Sequence, residues 1–122
     1  MANSINWFEL PSKDFERACK FYSDVLGGEV NVVENEGVRM GFLPNFTQDG
    51  AVGGCVIHGE GLEPAGNGTM VYLNGGEDLG IPLGKVESAG GKIVRPKTQG
   101  PYGFSAVFLD SEGNKVAFHS MG

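Results

Sequence analysis

One segment of this chain occurs twice. FELPSKDFERACKFYSDVLGGEV begins at Phe8, and YLNGGEDLGIPLGKVESAGGKIV begins at Tyr72. Asp14 matches Asp78, Phe15 matches Leu79, Tyr22 matches Val86 and Val25 matches Ala89, all at one separation. One residue then drops out, so that Gly27-Gly28 answers Gly90-Gly91 and Val30 answers Ile93. A duplicated unit of about half the chain implies two like modules related by a pseudo-two-fold, with a cleft where they meet.

Each copy spells out the same order of elements. Ile5 to Leu10 reads as a strand closed by Pro11. Ser12 or Lys13 then precedes an acidic first turn, Asp14 and Glu16, which suits a helix N-terminus. Phe15, Ala18, Cys19, Tyr22, Val25 and Leu26 recur at helical spacing, and Gly27-Gly28 stops the helix. Strands follow at 29–34, 38–43 and 52–58, with turns at 35–37 and at Asp49-Gly50. The connector, 59–68, has little to bury. The second copy gives a strand at 69–73, a helix at 78–89, and strands at 92–95, 104–109 and 115–120. Gly80, Pro82 and Gly84 predict that this second helix is short or irregular. The expected fold is α+β, a single domain over 1–122. It holds two tandem βαβββ modules, 1–58 and 69–122, whose curved mixed sheets form a cleft.

Composition narrows the function classes. The 122 residues are 40% apolar and 20% charged, ordinary for a globular domain with its own core. A net charge of −6 without a basic cluster argues against a nucleic-acid surface. No apolar run is long enough to span a membrane, and MANSINWFEL lacks the pattern of a signal peptide, so the expected location is the cytoplasm. Without secretion, the glycosylation acceptor patterns at Asn45 and Asn67 carry no weight. Two cysteines, Cys19 and Cys55, make no disulfide framework and read as small buried thiols.

The duplicated pattern resembles the vicinal oxygen chelate superfamily, which includes glyoxalases, extradiol dioxygenases, and bleomycin- and fosfomycin-resistance proteins. DFERACKFYSDVLGG looks like the family's first helix. KVESAGGKIVRPKT and FLDSEGNKVAFHS look like the second module's helix exit and final hairpin. The likeness covers nearly the whole chain and falls in the glyoxalase-like branch. It implies a divalent metal held by His, Glu or Gln from the first and last strand of each module. Carried over by position, those places fall at Trp7, at about Gly54, at Val71 and at Ala117, and none of these side chains ligates a metal. No metal or other cofactor is therefore expected. A divalent ion would need a non-standard site.

Two functions follow as expectations. The first is a binder of a small organic ligand in the cleft between the modules, working as a homodimer as the resemblance implies, with Trp7, Phe42, Tyr102 and Phe104 as aromatic contacts. The second is a lyase or isomerase that uses a displaced metal or an acid/base pair. Strand alternation puts Glu9 on the side of Trp7 and His119 on the side of Ala117, which makes Glu9 and His119 the candidate catalytic pair. Alternation also sends Tyr72, opposite Val71 and Leu73, beneath the helix layer.

Overall fold

A computed structural model describes residues 5–44 and 51–122. The turn expected at Asp49-Gly50 and the acceptor pattern at Asn45 lie outside them. The order is β1 (Trp7–Pro11), α1 (Phe15–Leu26), β2 (Asn31–Asn35), β3 (Val38–Phe42) and β4 (Gly53–His58). It continues with β5 (Val71–Asn74), α2 (Gly80–Leu83), β6 (Lys92–Gly100), β7 (Gly103–Leu109) and β8 (Lys115–Ser120). The strands make two four-stranded sheets of the same design, β1-β4-β3-β2 and β5-β8-β7-β6. In each, the first strand pairs parallel with the last and the rest are antiparallel. This is the α+β duplication that the sequence predicts. Among the described residues, no helix is long and apolar enough to cross a membrane.

α1 forms where its sequence has both a cap and a stripe. The Asp14 side chain accepts a hydrogen bond from the Arg17 backbone N–H at 3.1 Å, so Asp14 itself is the N-cap. Neither Ser12 nor Lys13, the two residues expected to begin the helix, takes that place: Ser12 is buried, and its hydroxyl donates to the Ile57 carbonyl at 3.0 Å. Gly27 ends the helix at φ 70°, a left-handed conformation that glycine adopts without strain. The buried face includes Phe21 as well as the predicted Phe15, Ala18, Tyr22 and Val25. Cys19 and Leu26 pack only partly against it.

α2 is a single turn of four residues. Two glycines and a proline deny it the propensity to continue. β6 runs on to Gly100, past the expected Arg95, with register shifts on both sides of Arg95. Pro96 is tolerated because β6 is an edge strand, where a missing N–H breaks no interior ladder.

The helix-side faces of both sheets share one apolar cluster. Phe8, Leu10 and Val56 enter it from the first sheet, and Leu73, Ala106, Phe108, Val116 and Phe118 from the second. The Phe21 ring of α1 lies 6.2 Å from Phe108, which stacks on Phe118 at 4.8 Å. Polar groups of the β7–β8 turn complete the join. Tyr22 Oη donates to Asp110 Oδ2 at 2.7 Å, and Asn114 Nδ2 donates to the Pro11 carbonyl at 2.7 Å. Glu112 accepts from the backbone N–H groups of Lys13 and Asp14, at 2.9 and 2.7 Å. It also receives Arg17 through both Nε and a terminal guanidinium nitrogen, at 2.7 and 3.0 Å.

Candidate functional site

Strand parity decides which side chains can form a site. Trp7 pairs laterally with Gly53 and Glu9 with Cys55, on the face turned away from α1. Phe8 pairs with Gly54 on the helix side, where a Cβ on Gly54 would stand 2.4 Å from the Phe8 ring. In the second sheet, Val71 and Leu73 join the core, while Tyr72 pairs with Ala117 and Asn74 with His119 on the outer face. Tyr72 is 55% exposed, not beneath the helices.

Two of the four inferred metal positions therefore move by one residue. Val71 gives way to Tyr72, and Gly54 to Gly53. For Val71 the reason is local: the separation read at the helix starts does not carry back into β5, whose link to a helix differs from that of β1. The approximate Gly54 shifts because Gly54 pairs with Phe8 and Gly53 with Trp7. The corrected set is Trp7, Gly53, Tyr72 and Ala117, with one oxygen donor, the Tyr72 phenol. Among the described residues no group of three or more His, Cys, Asp or Glu side chains could hold a metal ion. These residues do not fit a divalent cation, which needs about three protein ligands in a catalytic site.

The aromatic candidates separate. Trp7 and Phe42 form an edge-on pair on the outer face of the first sheet, with centroids 5.7 Å apart. Tyr102 is 83% exposed at the β6–β7 turn. Phe104 packs against the helix-side core, with Lys97 Nζ 4.6 Å above its ring. The acid/base candidates also part. Glu9 accepts a 3.4 Å hydrogen bond from Trp7 Nε1 in the first sheet. His119, in the second, donates from Nε2 to the Tyr102 carbonyl at 2.8 Å. Among the described residues no hydrogen bond joins the two. The thiols are poor nucleophiles: burial pushes Cys19 up to about 11 and Cys55, which also faces the Glu9 charge, up to about 12.

What the structure does bring together is a groove of about 930 Å³ between the modules. One wall is Ile5, Phe8, Leu43 and 51–54 with the end of α1; the other is 69–76 with Ile81, Pro82 and Lys85. Both walls belong to the same chain. Ile5, Val52, Tyr72 and Ile81 leave 59%, 39%, 55% and 65% of their surface exposed along it. The volume is that of a small-molecule site, and so is the character of the lining, largely apolar with few polar groups. A second hollow of about 570 Å³ shares Tyr72, Asn74 and Gly76 with the groove and reaches His119. Sequence reading did not find these walls. In the sequence Ile5 and Val52 read as the first residues of strands, whereas they precede β1 and β4, and Ile81 lies in the short α2.

Comparison with known proteins agrees with this architecture. A sequence model of the Glyoxalase/Bleomycin resistance protein/Dioxygenase superfamily matches residues 4–118. A glyoxylase-like domain-containing protein of Didymella fabae is 32% identical over 118 residues, spanning 93% of this chain and 90% of the relative. The solved structure of a glyoxalase/bleomycin resistance protein from Albidiferax ferrireducens superposes with a TM-score of 0.73 at 17% identity, covering 98% of this chain and all of that one. A glyoxalase I mutant from Zea mays gives a TM-score of 0.71 at 22% identity, covering 93% of this chain and 44% of the maize chain.

Proposed function

Because this chain belongs to the Glyoxalase/Bleomycin resistance protein/Dioxygenase superfamily, we propose that it has lost the superfamily's metal site and binds a small organic ligand without metal. The ligand occupies the groove between the two modules. The groove itself, about 930 Å³ and apolar on both walls, is the observation that carries this reading. The residues at the family's ligand positions support its metal-free half. An indole, a phenol, a methyl group and a glycine offer a cation one oxygen, and two of them, Tyr72 and Gly53, line the groove.

The competing acid/base reading has weaker geometry. Glu9 and His119 hold separate partners in separate sheets, and an acid and base acting on one substrate must both come within hydrogen-bond reach of it.

The groove reading is tested with Ile81→Glu and a neutral solvatochromic dye such as Nile red. Ile81 is 65% exposed and lies in the short α2, so the substitution spares the core. It puts a carboxylate on the groove wall, where a bound apolar body would desolvate it. The wild-type protein should bind the dye saturably, and Ile81→Glu should weaken binding about tenfold or more with an unchanged melting temperature. Equal affinity in the two proteins would place the dye elsewhere and remove the groove from the account.

A further inference from the structure

We infer that the groove selects a small amphipathic anion, a single carboxylate on an apolar body, with Lys85 as the head-group contact. This rests on the ligand-binding reading above and specifies its ligand class.

The argument is one of charge. The chain carries fifteen acids against nine bases. Yet among the groove's described lining residues there is no acid, and Lys85 is the one charged side chain. Among the described residues Lys85 makes no ion pair, as is also true of Lys13, Lys92, Arg95 and Lys115, and of these it alone lies on the groove. Its position has a physical cause. Lys85 Nζ lies 3.8 Å from where a Cβ on Gly27 would stand, at the end of α1, a helix with no basic residue in its last turn. The partial negative charge of a helix C-terminus, about half an elementary charge, attracts the ammonium there. That interaction leaves ammonium N–H donors available, since Lys offers three and accepts none.

The rest of the groove fixes the other half of the ligand. Ile5, Val52 and Ile81 leave apolar surface exposed along the walls. A neutral apolar ligand would cover this surface but would partly desolvate Lys85 without pairing it. A cationic one would be repelled. An anion with an apolar body satisfies both. The occupant is a free carboxylate in solution.

The test uses three probes of equal tail length, decanoate, decan-1-ol and decylammonium, titrated calorimetrically into the wild-type protein and into Lys85→Met, with oligomeric state followed by light scattering. Decanoate should bind about tenfold tighter than decan-1-ol, the size of one charge-assisted contact that the ligand's own body shields from water when it covers the exposed Lys85. Decylammonium should bind weakest. Lys85→Met should bring decanoate down to the affinity of decan-1-ol and leave decan-1-ol unchanged. Equal affinity for all three probes, or full decanoate affinity in Lys85→Met, would overturn the anion selectivity and leave the groove as a binding site. If no probe binds, both readings fall, and a dimer that Ile81→Glu dissociates would identify a second copy as the occupant.

Discussion

Glu112→Ala should lower the unfolding free energy by about 3 kcal/mol, because it removes a solvent-shielded acceptor from several part-buried donors at once. The Glu112 side chain is fully shielded from solvent, and it ties the β7–β8 turn of the second module to the first turn of α1 in the first. Truncation leaves two N–H groups at a helix start, those of Lys13 and Asp14, without an acceptor. Arg17, half exposed, can rehydrate, so most of the loss comes from the backbone donors. Burial alone would push the Glu112 carboxyl up. Arg17, the Asp14 N–H, the Ser111 hydroxyl and the Lys13 N–H outweigh it and hold the group at about 2, below its ordinary 4.5. A carboxyl held low when folded stabilises the protein fully above about pH 4.5 and loses that contribution as pH falls toward about 2. Urea unfolding of wild type and variant should therefore differ by about 3 kcal/mol at neutral pH and converge near pH 2. A difference below about 0.5 kcal/mol at neutral pH, or one that persists at pH 2, would refute this role.

Phe108→Ala should be costlier, about 4 kcal/mol, since it opens a cavity where the two modules share their core. Phe108 has no exposed surface, stacks on Phe118 at 4.8 Å and faces Phe21 of α1 at 6.2 Å. For a domain of this size such a loss lowers Tm by roughly 15 °C. Because Phe108 belongs to both modules' core, circular dichroism and Trp7 fluorescence should report one coincident transition, Trp7 being in the first module and the lesion in the second. A fall of less than about 3 °C, or a variant in which Trp7 melts at its wild-type temperature, would mean that the modules fold separately.

How much of this was legible in the sequence depended on the range of the interaction. The cap-and-glycine punctuation of α1, the weakness of α2 and the final hairpin are local, and the residues that cause them are adjacent in the chain. Phe21 was missed because its reason for burial is Phe108, in the other module. Tyr72 was placed on the wrong face because one residue of slip in β5 exchanges the two sides of a strand completely. β6 was cut short at Arg95 because a proline reads as a stop, and only its place at the sheet edge removes the penalty. The candidate site suffered most. Trp7, Phe42 and Tyr72 do reach outer faces. The groove, however, is made by Ile5 and Val52 just before β1 and β4, by Ile81 in the short α2, and by Lys85 held at the end of α1. Their convergence is a product of how two modules dock, and the repeat that reveals each module does not contain it.

The central claim is that this member of the superfamily binds its ligand without metal. The most direct measurement is a titration of decanoate into protein stripped with a chelator and verified metal-free by elemental analysis, read by calorimetry and by Trp7 fluorescence. Trp7 suits this purpose because it is the single tryptophan, and its chain neighbour Phe8 and lateral partner Gly53 both line the groove. The account predicts saturable one-to-one binding that is unchanged when Zn²⁺, Ni²⁺ or Mn²⁺ is restored. Binding that appears only after one of these ions is added, and that is lost in Glu9→Ala or His119→Ala, would contradict it and return the acid/base or displaced-metal reading in its place.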